Sequence, residues 1–145
     1  MKLNLDCLRD ILLCIEEQSM PHKALVFIDT YLAEKISTAI EGKYSVHPYQ
    51  AELSAKYSND ELIYHLVYCL EAELLISNSQ RGATEIFILD LSVKGHEFLD
   101  TLRSPTLFEK LKQIAEISGK YSVPALSQIG GRLLNDYLAT NHASV

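Results

Sequence analysis

The chain is short of the residues that usually announce chemistry. It has no tryptophan, and its 3 cysteines, Cys7, Cys14 and Cys69, are an odd number without a CxxC pair. That pattern argues against a disulfide framework and against a cysteine-built zinc site. Cys7 and Cys14 stand two helical turns apart beside an apolar stripe, so all three are expected to be small, reduced packing residues. No apolar run approaches the roughly 18 to 20 residues that a membrane span needs, and Met1-Lys2-Leu3-Asn4-Leu5-Asp6 passes straight into an amphipathic pattern with no signal-peptide core. A cytoplasmic protein with no membrane partner is expected. Positive charge is scarce as well: 13 Lys and Arg against 19 Asp and Glu leave a net charge of −6, which disfavours non-specific attraction to nucleic acid or anionic lipid.

Catalytic signatures are missing too. His22, His47, His65, His96 and His142 are scattered without HxxxH or HxxEH spacing, and neither GxSxG, GxxxxGK nor GxGxxG occurs. Gly130-Gly131 lies inside a helical pattern and does not follow a strand, so it does not read as a phosphate cradle. No catalytic residue, cofactor site or metal site is assigned, and the chain is not expected to be an enzyme.

What is present is a strong apolar rhythm. With 145 residues and 48% hydrophobic content, the chain is long enough for one well-buried core. Leu5, Leu8, Ile11, Leu12 and Ile15 recur at helical spacing, then Ser19-Met20-Pro21 stops the pattern. Leu25, Ile28, Leu32, Ile36 and Ile40 predict a second helix as far as Gly42, although Ala24 to Ile28 alone also fits a strand. Lys43 to Tyr57 reads as a short strand or a helix of one to two turns. Ser58-Asn59-Asp60 offers N-cap side chains to a strongly apolar helix that runs to about Leu74. Leu75–Ser79 and Thr84–Leu91 are expected to pair as a β-hairpin around residues 80–83. Ser92 then caps a helix from Val93 to Leu102. Two further helices, restarting at Ser104-Pro105 and at Ser122, predict a C-terminal helical hairpin. Gly130-Gly131 would cost that last helix about 1 kcal/mol per glycine relative to alanine, which predicts a kink or a close helix contact there.

The order helix, helix, helix, β-hairpin, helix is that of a winged helix-turn-helix module. The expected fold is therefore mostly α with a small β-hairpin (α+β). A winged-helix core is expected over residues 1–103, with a helical or irregular insertion at 21–56, and a C-terminal helical extension at 104–145 packed on the same domain. Two phrases carry a family resemblance. The stretch from Tyr64 to Ile76 resembles the "HL..L..AGLI" ending of many recognition helices, with Glu73 where glycine is usual, and Leu91 to Leu99 resembles the "LT.KG..FL" entry to the helix after a wing. With Leu5 to Leu12 and the block from Tyr57 to Ile76, the chain resembles a phage- and prophage-associated family of unknown function, domain of unknown function 2513. The resemblance covers the first helix and residues 57 to about 118, and Pro21 to Lys56 is longer than that pattern leads one to expect. It implies a winged-helix-like fold and a mobile-element origin, and no catalytic residue.

Projection at 100° per residue places Leu62, Ile63, Leu66, Val67, Leu70 and Leu74 on one side of the helix over 61–74. Glu61, Tyr64, His65, Tyr68 and Ala72 are expected on the other. That outer set holds no Arg, Lys, Asn or Gln of the kind that makes bidentate base contacts. From Tyr57 to Arg103 there are three basic residues against eight acidic ones, a net of −5, so most of the negative charge sits in the would-be DNA reader. A specific DNA binder typically neutralises roughly 6 to 10 phosphates. The expected partner is another protein or a second copy of the chain, through Glu61, Tyr64, His65 and Tyr68, unless a neighbouring helix, Pro21 to Glu41, covers the two tyrosines. The rival is sequence-specific DNA binding by helix 60–74 and wing 75–91, with Arg81 beside Gly82 reaching a narrow minor groove.

Overall fold

Asn4 opens the first helix. Its side-chain oxygen accepts from the amides of Asp6 at 3.0 Å and Cys7 at 3.3 Å, satisfying two of the donors that a helix start leaves orphaned. Helix α1, Leu5–Gln18, buries Leu5, Leu8, Ile11, Leu12 and Ile15 as their spacing predicts, and Cys7 with them. The computed structural model describes residues 1–39, 44–78, 82–118 and 122–143. Among these residues the chain is mostly helical with two small antiparallel sheets, an α+β architecture.

After α1 the structure departs from the helix expected at Pro21. The Met20 carbonyl accepts from the Lys23 amide at 3.3 Å, and His22 has a φ of 66°, which marks a tight turn with proline second and a left-handed residue third. A right-handed helix cannot propagate through that residue. The chain emerges extended as β1, Leu25–Ile28, which pairs antiparallel with β3, Glu85–Ile88, from Leu25↔Ile88 to Ile28↔Glu85. Periodicity alone favoured the helix because Leu25 and Ile28 fit both patterns; the pairing that decides it lies some 60 residues along the chain. Helix α2, Thr30–Ala39, begins only after the strand.

The stretch that was least legible in sequence completes the free edge of β1. Helix α3, Pro48–Ser54, carries Tyr49 and Gln50 against that edge. Tyr49 Oη accepts from the Val26 amide at 2.8 Å and donates to the Val26 carbonyl at 2.9 Å. Gln50 Oε1 accepts from the Ile28 amide at 2.8 Å while Nε2 donates to the Ile28 carbonyl at 2.7 Å. Two side chains thus take the place of a neighbouring strand, and Gln50 is buried in doing so.

Helix α4, Asn59–Glu71, starts where its caps predict, with the Glu61 amide donating to Ser58 Oγ at 3.2 Å. It ends three residues before Leu74. The Leu74 amide reaches back to the Cys69 carbonyl at 2.9 Å and the Glu73 amide to the Leu70 carbonyl at 3.1 Å, the paired bonds of a Schellman cap, and Glu73 is left-handed with a φ of 62°. Glutamate therefore occupies a backbone position that suits glycine, the residue usual there in the resembling pattern. Among the described residues the expected hairpin pairs at its base, β2, Leu75–Ile76, with β4, Asp90–Leu91. Above it β3 turns to β1 instead, and residues 79–81 lie outside the described residues.

Helix α5, Val93–Arg103, is capped by Ser92, whose Oγ accepts from the Gly95 amide at 3.0 Å and donates to the Glu73 carbonyl at 2.6 Å. Gly95 explains its place in the "KG" phrase: a Cβ there would lie 3.1 Å from the Leu74 carbonyl carbon and far inside van der Waals distance of its oxygen. Helices α6, Pro105–Ser118, and α7, Val123–Ala143, pack on α5 and on each other. The close contact expected at Gly130-Gly131 is made by one residue of the pair. Thr101 Oγ1 donates to the Gly130 carbonyl at 3.0 Å, and a Cβ on Gly130 would come within 3.2 Å of Thr101, whereas one on Gly131 would meet nothing within 4 Å. Phe108, Leu111, Ala115 and Leu126 from this hairpin join the same buried cluster as α1, α4 and the strands.

Candidate functional site

Helix α4 carries the residues singled out from sequence, and its orientation follows from which side chains it buries. Leu62, His65, Leu66 and Cys69 face the core, while Ile63, Val67 and Leu70, expected inside, are half-buried at its margin. The helix is turned by nearly a quarter of a revolution from the expected projection. Two residues cause the difference. Cys69 is a small apolar side chain with no exposure, and His65 is a polar one whose needs are met inside.

His65 is the correction to the expected outer surface: it is fully buried and cannot meet a partner. Nε2 accepts from the Asn4 amide at 2.8 Å, so the ring proton is on Nδ1, which lies 2.6 Å from the Glu61 carbonyl. Desolvation pushes the His65 pKa below its ordinary value, against the opposing pull of the Glu61 carbonyl and carboxylate. Glu61 joins the same clamp, accepting from Asn4 Nδ2 at 3.2 Å. The start of α1 is thereby tied to the first half of α4. Glu61 also borders a cleft of about 540 Å³ beside Asn4, Asp6 and Lys112.

Tyr64 and Tyr68 do lie together, with ring centroids 5.7 Å apart and planes at 46°. Both are half-buried, and Tyr68 leans on the core cluster. Among the described residues the helices packed most closely along α4 are α1 and α3, and the end of the Pro21–Glu41 cover considered from sequence lies outside the described residues. Helix α2 meets the first turn of α4, where Asn59 Oδ1 accepts from the Thr30 amide at 2.9 Å. The quarter-turn rotation adds three residues to the outer strip that projection missed: exposed Asp60 and Glu71, and half-buried Val67. Recognising His65 and Cys69 as inward residues would have found them.

Arg81 lies outside the described residues. Among the described basic residues, Arg9, Lys56, Lys94, Arg103 and Lys112 are in ion pairs, with Asp6 and Asp10, Asp10, Glu73, Glu16 and Asp6 respectively. Lys94 and Arg103 are the described basic residues of the 57–103 segment, and their partners are three of the chain's own carboxylates, Arg103 reaching Asp100 as well as Glu16. Among the described residues no group of three or more His, Cys, Asp and Glu is gathered as metal ligands, and no helix is long and apolar enough to cross a membrane. Burial pushes the Cys7 thiol up to about 12 and the Cys14 thiol up to about 11, and neither cysteine is in a disulfide.

Comparison with known families gives one assignment. The model of the family described as Hypothetical protein (DUF2513) matches residues 28–120. That span begins in β1 and runs through α6, so it includes the part of the 21–56 segment from residue 28 onward and leaves out α1, whereas the sequence resemblance placed α1 inside the match and 21–56 outside it. No curated protein and no solved structure matches the chain.

Proposed function

The chain belongs to the DUF2513 family, and from that premise we propose that it is a winged-helix binding protein of phage or prophage origin, a protein-interaction module or adaptor that acts without catalysis. The order α1, β1, α3, α4, then a β-hairpin flanked by β1, supports the winged-helix reading, with α2 as an insertion between β1 and α3. The origin rests on the resemblance carried by the Tyr64–Ile76 and Leu91–Leu99 phrases together with Leu5 to Leu12 and the block from Tyr57 to Ile76. The observation that carries the interaction reading is the outward strip of α4. Tyr64, Val67 and Tyr68 put apolar and aromatic surface where a winged helix presents its reading helix, and tyrosine is favoured at protein interfaces because it buries area while keeping a polar tip.

Sequence-specific DNA binding by helix 60–74 and wing 75–91 is the second reading, and the element order is what favours it. Against it stand the acidic flanks of α4 and the cations already paired within the chain. The test compares Tyr64→Ala/Tyr68→Ala with the parent chain in pull-downs and in gel retardation of duplex DNA at about 50 mM salt. Loss of a bound protein with no retardation of DNA is expected. Retardation by the parent chain that Arg81→Ala weakens would move the function to DNA, and partners retained by the double variant would remove α4 from the interface.

A further inference from the structure

We propose that the partner of the α4 face is a basic segment of another protein, with Lys or Arg at both ends of a short apolar stretch. This rests on the reading of α4 as the interaction surface and adds the chemistry of what docks there. At helical spacing, Asp60, Tyr64, Val67 and Glu71 fall along one outward line, with Tyr68 beside it. The strip therefore has a carboxylate at each end and an apolar, aromatic centre, and it spans roughly 16 Å at 1.5 Å per residue.

Among the described residues neither Asp60 nor Glu71 forms an ion pair or a hydrogen bond through its side chain, and both are exposed. Of the described cations near them in sequence, Lys56 pairs with Asp10, Lys94 with Glu73, and Arg103 with Glu16 and Asp100, while Arg81 lies outside the described residues. Glu61, on the tyrosine side of the strip, adds a third negative charge. A partner that covered the tyrosines with neutral or acidic surface would desolvate uncompensated carboxylates, which is costly. A partner with two flanking cations pairs them instead, and a cation over Tyr64 or Tyr68 gains from the ring face as well.

The test places a photoactivatable phenylalanine analogue at Val67 in the full chain, cross-links in a lysate of the source cells, and maps the adducts by mass spectrometry. Three backgrounds are compared: parent, Asp60→Lys/Glu71→Lys, and the milder Asp60→Asn/Glu71→Gln, each checked for native circular dichroism. Adducts on Lys- or Arg-flanked segments are expected, reduced at least about tenfold by charge reversal, less by neutralisation, and weakened by added salt. Adducts on neutral or acidic segments, or a yield indifferent to charge reversal, would overturn the basic-partner inference and leave α4 as the interface. Adducts on nucleic acid, or none above a control with the analogue at exposed Val93, would overturn both.

Discussion

Gly95→Ala sets two opposing effects against each other. In an unconstrained helix interior, alanine for glycine gains about 1 kcal/mol. At position 95 the added methyl overlaps the Leu74 carbonyl, and Leu74 is backbone held by the α4 cap and by the Ser92 amide, which donates to that same carbonyl at 2.9 Å. To make room, α5 must move off the β2–β4 junction. That loses a hydrogen bond worth about 1 kcal/mol and adds overpacking strain of about 1 to 3 kcal/mol. Net destabilisation of about 2 kcal/mol is expected, a fall in Tm of roughly 4 to 8 °C for a chain of this size. Gly131→Ala is the matched control, because a Cβ there meets nothing within 4 Å. It is expected to be stabilising by about 1 kcal/mol. Urea and thermal unfolding followed by far-UV circular dichroism read both. A Gly95→Ala midpoint at or above that of the parent would refute the account of how α5 seats on the end of α4.

Three further outcomes follow from the same packing. Gln50→Leu removes both partners of the Ile28 peptide groups, so unfolding free energy should fall by about 3 kcal/mol and the Ile28 amide should exchange faster; a loss below about 1 kcal/mol would mean the β1 edge is satisfied otherwise. Glu73→Gly should be about 1 kcal/mol more stable than Glu73→Ala in denaturant titration, because both lose the exposed Lys94 pair and only glycine sits at ease at a φ of 62°; equal stability would deny the left-handed cap. Burial lowers the His65 pKa in the folded state, so its contribution is fully present above the unfolded value of about 6.5 and is lost as pH falls through the lower folded value. The fall in stability between about pH 7.5 and 5.5 should therefore be smaller in His65→Gln than in the parent, and an unchanged difference would place His65 in water.

Tyr64 and Tyr68 were correctly paired from sequence because they are one turn apart on a helix whose cap, Ser58, is local. Helical periodicity misplaces His65 because the group that satisfies its ring inside the fold, the Asn4 amide donating to Nε2, lies 61 residues away. Asp60, Val67 and Glu71 were missed for the same reason, since the outer strip is defined only once the inner one is known. Arg81 lies outside the described residues, and with it the wing tip.

The sequence by itself determined where α4 and α5 start, through side chains that satisfy their own neighbours' backbone groups, Ser58 and Ser92. It also determined the apolar stripe of α1. Tertiary structure alone decided that Leu25–Ile28 is a strand, that Tyr49 and Gln50 close its edge, and which way α4 turns. Those outcomes depend on partners distant in the chain, and a side chain that fits two local patterns equally is settled only by which partner satisfies its backbone and buries it.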